Sequence, residues 1–230
     1  MLESVKIGKK SADEFPFEYC HQKEEQLVVN DTKGNLYVVR NAKGLVVEKK
    51  IQSSQSDTKK KTAEGIFITA YIDHGVAPSE ASYEYMMVVK ANSQDRSKYL
   101  KTVPYAVIQA DNSAHVVKDD ATGITAYISY KGYKSDATLV ADMPEEVIVM
   151  ERTKVEGGVV MSVCTPDLGI TVKGYTTSQP SQPLVKTVKL NGQWTLKNEM
   201  PNVTVTSDGG NTVVTATCIH GQPVEFELVN

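Results

Sequence analysis

Apolar and polar positions alternate in short runs along almost the whole chain. Leu36-Tyr37-Val38-Val39, Gly65 to Ile72 and Ser82 to Val89 come first, followed by Ile124 to Tyr130, Glu146 to Glu151 and Val159 to Cys164. The last third adds Ile170 to Lys173, Val185 to Leu190, Val203 to Thr206, Val213 to Thr217 and Val224 to Leu228. The runs are short and rich in β-branched and aromatic residues, so each predicts a strand. Val185 and Thr187 alternating with Lys186 reads as a half-buried antiparallel strand. Between the runs stand Lys33-Gly34-Asn35, Ala42-Lys43-Gly44, Glu156-Gly157-Gly158, Asn191-Gly192 and Asp208-Gly209-Gly210-Asn211. Gly and Asn accept the positive φ of tight turns. Asn191-Gly192, between Leu190 and Trp194-Thr195-Leu196, gives the clearest hairpin signal. No window holds an apolar period of 3.6. Ser93 to Leu100, with Ser93 as its cap, is the best helical candidate, at about two turns. The pattern predicts an all-β chain of antiparallel sheets.

Three polar stretches interrupt the strands. Ser53 to Lys61 reads as a basic loop and Thr176 to Pro183 as an extended one. The pause between Asn92 and Pro104 reads as a boundary, giving domains 1–100 and 101–230.

With 230 residues, 40% hydrophobic and 23% charged, the chain can bury a core and is neither disordered nor fibrous. Its 25 Lys and Arg against 28 Asp and Glu leave a net charge of −3. That balance excludes a nucleic-acid binder, which needs a concentrated basic face to neutralise phosphates. No run approaches the roughly 20 apolar residues of a membrane span. Met1-Leu2-Glu3-Ser4-Val5-Lys6 leads into polar sequence rather than a signal-peptide core. Cys20, Cys164 and Cys218 show no C-x-x-C spacing, which leaves zinc and redox roles without support. Cys164 and Cys218, in alternating runs, read as small buried hydrophobes, and a disulfide between two of the three stays open.

Candidate chemistry is sparse. His21, His74, His115 and His220 are scattered without metal-ligand spacing and read as structural or surface residues. Asp73-His74-Gly75 ends a strand, where a side chain bonding the turn backbone is the favoured reading. Gly157-Gly158 and Gly209-Gly210 sit in hairpins, not before helices, so they cradle no phosphate. Lys59-Lys60-Lys61 reads as a solvated basic loop that could attract a polyanion. Tyr83, Tyr85 and Tyr127 suit either packing or a sugar-stacking platform.

The stretch from Gln26 to Val89 carries a more specific signal. Lys33-Gly34-Asn35-Leu36-Tyr37-Val38-Val39, Gln52-Ser53-Ser54-Gln55 and Lys61-Thr62-Ala63-Glu64-Gly65-Ile66-Phe67 precede Ala70-Tyr71-Ile72-Asp73-His74-Gly75-Val76-Ala77-Pro78-Ser79-Glu80-Ala81-Ser82-Tyr83-Glu84-Tyr85. An aromatic strand, a D-H-G turn, a Pro loop and A-S-Y-x-Y in this order resemble the chondroitin ABC lyase and hyaluronate lyase family of polysaccharide lyases. From Val103 onward, opening with Ala106 to Val117, the chain resembles their small C-terminal β-domain.

That resemblance implies the last part of a β-supersandwich over 1–100 and a C-terminal β-sandwich over 101–230. The parent would be exported, secreted or periplasmic, and would carry the missing N-terminal helical and supersandwich regions. It would cleave chondroitin sulfate or hyaluronan by β-elimination: carboxylate neutralisation, removal of the C5 proton by a base, and protonation of the leaving O4. The family places its catalytic His, Tyr and Arg in the helical domain, with a supporting Glu early in the supersandwich. None of those motifs has a counterpart here. The expectation is therefore a structural, accessory piece with no catalytic, cofactor-binding or metal-binding residue of its own, and His74 and Tyr83 belong to the fold. The competing readings are a stand-alone module binding an anionic polysaccharide, and an independent lyase using His74 and Tyr83 as base and acid.

Overall fold

The computed structural model describes residues 5–56, 61–170 and 181–230. The chain divides into two compact units, Met1–Val103 and Pro104–Asn230. Both are built from antiparallel sheets, as the alternation predicts.

The first unit contains β1 (Lys6–Ile7), β2 (Lys10–Ser11), β3 (Phe17–Cys20), β4 (Leu27–Asn30), β5 (Leu36–Val39), β6 (Leu45–Ser56), β7 (Lys61–Ile72) and β8 (Tyr85–Val88), then helix α1 (Ser93–Tyr99). One sheet runs β2-β1-β4-β5-β8 and the other β3-β6-β7. Val5, Ile7, Leu27, Val29 and Val39 of the first meet Leu45, Val47, Ile68 and Ile72 of the second in an apolar layer. The far face of the first sheet is covered as well: Val28, Leu36 and Val38 pack on Met86, Val88, Tyr99 and Val103. Two covered faces explain why β4 and β5 read as nearly continuous apolar runs. The cap of α1 is Asn92, not Ser93. Asn92 Oδ1 accepts the amides of Gln94 and Asp95, and Asp95 returns a bond to the Asn92 amide, which closes a capping box.

In the second unit, β9 (Tyr105–Ala110), β10 (Ala114–Asp119), β11 (Ile124–Ser129), β14 (Val147–Thr153), β15 (Val159–Cys164), β17 (Thr195–Leu196) and β20 (Val224–Val229) form one sheet. Its order is β17-β20-β15-β14-β11-β10-β9. The other sheet joins β12 (Tyr133–Lys134), β13 (Val140–Met143), β16 (Leu184–Leu190), β18 (Val203–Asp208) and β19 (Asn211–Cys218) in the order β12-β13-β16-β19-β18. Tyr127, Met161 and Leu228 from one sheet and Val188, Leu190 and Val214 from the other fill the core between them. Strict burial alternation along β11, β15 and β19 is the period-2 signature of a two-layer sandwich.

Several expectations need correction. Ser53 to Ser56 is not loop: it extends β6, pairing Ser53 with Glu64 and Gln55 with Thr62. A polar ladder at the far end of a long hairpin buries little, so its sequence carries no apolar signal. Lys59 and Lys60 of the expected basic loop, like Thr171 to Pro180, lie outside the described residues. Asn191-Gly192 does not close a hairpin, because β17 pairs with β20 in the opposite sheet, Thr195 facing Val229. Trp194 redirects the chain. Its Nε1 donates to the Asn191 carbonyl at 2.8 Å, its amide donates to Thr212 Oγ1 at 2.8 Å, and its ring packs against the core. On β16 the inward face is Lys186, Val188 and Leu190, while Val185 is 58% exposed. Val188 and Leu190 set that parity, and the Lys186 amine escapes to Glu145 at 2.9 Å.

Candidate functional site

The D-H-G turn is built where β7 leaves its ladder. The Asp73 amide donates to the Gly44 carbonyl at 2.8 Å, and Asp73 Oδ1 accepts the Gly75 amide at 2.8 Å. Gly44 sits at φ +79, and a Cβ there would lie 2.6 Å from the Asp73 carbonyl oxygen. Only glycine allows this approach. Asp73 thus bonds the turn backbone, and His74 is carried out to the rim of a groove.

That groove, about 760 Å³, lies within the first unit. Its walls include Val29, Val39, Val47 and Ile68, and its rim carries His74, Tyr71, Tyr83 and Tyr85. Tyr83 and Tyr85 are two residues apart on one side of the chain, so their rings lie 6.3 Å apart at 21°. They are 68% and 55% exposed. His74 and Tyr83 therefore come to the same rim, with no hydrogen bond between them. The third tyrosine of the conceived platform does not join them. Tyr127 is fully buried in the second unit, edge-on to Tyr133 at 5.6 Å, and is a core residue.

The electrostatics of the groove are set by Asp31 in the turn between β4 and β5. Its carboxylate accepts the amides of Lys33 and Asn35, each at 2.8 Å, the Asn35 side chain at 2.7 Å and the Tyr37 hydroxyl at 3.3 Å. Burial raises its pKa, but these bonds outweigh burial and hold it below the usual carboxylate value. Burial, then the Asp31 charge, push the Tyr37 hydroxyl up. On the outer face of β6, Lys50 and the Tyr71 hydroxyl, 3.0 Å away, bind Glu48 and lower its pKa. No Lys or Arg stands among the described residues lining the groove. As built, the groove offers aromatic and apolar surface, one carboxylate, and the hydroxyl and imidazole groups of its rim.

Elsewhere the histidines stand singly. His21 Nδ1 meets the Tyr19 hydroxyl at 2.8 Å and its Nε2 lies 3.5 Å from Glu25. His115 packs edge-on to Tyr130 at 5.4 Å, and His220 bonds Ser181. The cysteines are all free; Cys218 is buried, and burial pushes its thiol up. Among the described residues no group of three or more His, Cys, Asp or Glu is placed to hold a metal ion. No helix among them is long and apolar enough to cross a membrane. The groove itself escaped the sequence, because its walls come from strands far apart in the chain.

No family model matches the chain. Among curated proteins it is 26% identical over 232 residues to the chondroitin sulfate ABC endolyase of Proteus vulgaris, covering 99% of this chain and 22% of that one. It is 29% identical over 251 residues to the chondroitin sulfate ABC exolyase of the same organism, covering 99% and 24%. The chain thus spans less than a quarter of the length of these two relatives. Among solved structures, a Paenibacillus xanthan lyase shares the fold with a TM-score of 0.73 at 14% identity, over 99% of this chain and 22% of that one. Sequence over nearly the whole chain and fold over both units agree: the chain is a homologue of part of the chondroitin ABC lyases.

Proposed function

We propose that this chain is the accessory β-region of an exported glycosaminoglycan lyase. Residues 1–100 would close the supersandwich, and 101–230 would form the C-terminal β-sandwich. The parent cleaves chondroitin sulfate or hyaluronan by β-elimination, and this region buttresses its cleft without supplying the reacting groups. The observation that carries the reading is the match to two chondroitin lyases over 99% of the chain but under a quarter of theirs. The groove chemistry agrees with it. Elimination needs a cation or donor on the carboxylate together with a base and an acid converging on one sugar; His74 and Tyr83 stand on the rim without a hydrogen bond between them, and Asp31 is the one Asp, Glu, Lys or Arg among the described residues that line the groove.

The exposed Tyr83–Tyr85 pair favours a second reading, a module that binds the polysaccharide by itself. Calorimetric titration of the chain with chondroitin sulfate at low and high salt separates the two. The accessory role predicts no heat of binding to the isolated chain at either salt concentration. Binding that weakens as salt rises, and is lost in Tyr83→Ala, would replace it with the module.

A further inference from the structure

β7 is the last strand of its sheet: β6 flanks one side, and no strand among the described residues flanks the other. It is 12 residues long, whereas the other sheet ends are strands of two to six residues. The ladder of β9, one of the longer of these, is also broken by a register shift between Val116 and Val117. Short length, bulges, Pro and charges are how soluble proteins blunt an open edge. Gly65 to Ile72 has none of these: it carries no Pro and no charged residue, and its pairing with β6 shows no register shift. Phe67 and Tyr71 are 53% and 47% exposed. Such an edge is a template for another strand.

The strand's own sequence selects the occupant. The Asp73 amide bonds Gly44 on the β6 side, so by alternation the amides and carbonyls of Ile66, Ile68, Ala70 and Ile72 point to the open edge. Two such edges, paired antiparallel about a two-fold axis, can bond only even-numbered residues to even-numbered ones. The axis must then pass through a residue, not between two. With the axis at Thr69, Ile66 bonds across to Ile72 and Ile68 to Ala70 of the second copy. In the closer, non-bonded pairs Phe67 meets Tyr71 on each side of the axis, and Thr69 meets Thr69. Glu64 falls opposite His74 and Asp73 opposite Gly65, so no like charges meet. Aromatic pairs and Thr–Thr pairs are favourable cross-strand neighbours. Moving the axis by one residue loses this fit. At Ile68 it sets Glu64 against Ile72 and Tyr71 against Gly65; at Ala70 it sets Phe67 against Asp73. We propose that this chain forms a two-fold dimer through the open edge of β7, with Thr69 on the axis. The contact uses the same edge on both copies, so it closes at two. The proposal concerns the 230-residue chain and stands apart from the lyase reading.

Light scattering on the full chain, joined to hydrogen exchange, tests it. The expected mass is twice the 25.2 kDa of one chain, falling towards a single chain on dilution. Between dilute and concentrated solution the amides of Ile66, Ile68, Ala70 and Ile72 slow by about tenfold or more, while those of β9 do not change. Thr69→Lys sets two ammonium groups against each other on the axis and gives the single-chain mass. Within its own sheet that lysine would face Glu48, so the strand accepts it. Val185→Lys, on an exposed position of the second unit, keeps the doubled mass. A second variant reads the register without a destabilising charge. In a Cys20→Ser background, Thr69→Cys brings two thiols face to face, and glutathione disulfide links the chains in pairs; Thr62→Cys, away from the axis, stays unlinked. A single-chain mass at the highest concentration, growth beyond two chains, or a doubled mass that survives Thr69→Lys overturns the proposal. So does a pair whose four β7 amides exchange as fast as in dilute solution, or one that Thr62→Cys links and Thr69→Cys does not.

Discussion

Glu151 lies in the second unit with only 7% of its surface exposed, between Thr125 and Tyr127 on the neighbouring strand. Burial raises its carboxyl above the ordinary 4.5, with bonds from Thr125 and Tyr127 pulling the other way. A raised folded-state value means that the folded chain holds this proton more tightly than the unfolded chain. The stability it contributes is fully present below the ordinary value and is lost as pH rises through the folded value. Denaturant unfolding across that range should show stability falling with pH, and Glu151→Gln should flatten the fall; an unchanged fall would assign it to another group. Gly44 offers a second test at this scale. Gly44→Ala must strain a positive φ and meet the Asp73 carbonyl, whereas Gly34→Ala, at φ +84, meets nothing within 4 Å. The strain alone costs about 1–2 kcal/mol, so Gly44→Ala should cost clearly more than Gly34→Ala in the same unfolding measurement. Equal costs would remove the clamp between Gly44 and Asp73.

At the scale of elements, period-2 alternation reveals β11, β15 and β19 because each has one face on the core. At β16 the alternation reveals the half-buried strand but does not say which face is inward: Lys186 is inward-facing and Val185 outward-facing, because a lysine stem can be buried while its amine reaches Glu145. Val188→Ala should therefore cost about 2 kcal/mol or more, and Val185→Ala only about 0.5 kcal/mol or less. The reverse ranking would restore the other parity. The turn at Asn191-Gly192 shows a different blind spot. Its local chemistry is that of a hairpin, but Trp194 and the pairing of Thr195 with Val229 are decided by residues distant in sequence. The polar end of the β6–β7 hairpin was illegible because backbone bonds hold it, not burial.

For the molecule as a whole, the fold class was legible from alternation and turns, and the family from the order of motifs between Gln26 and Tyr85. The groove was not. It exists only when Val29, Val47, Ile68 and the His74 turn are brought together across two sheets. Nor could composition separate the exposed pair Tyr83 and Tyr85 from the core residue Tyr127, since all three stand in strand-like runs. The central claim is that this region serves a lyase without performing its chemistry. The measurement that tests it most directly is ultraviolet absorbance of the C4–C5 double bond formed when the purified chain is incubated with chondroitin sulfate. The account predicts no rise above the protein-free blank. A rise that survives repurification and disappears in His74→Ala or Tyr83→Phe would contradict it and make the groove an active site.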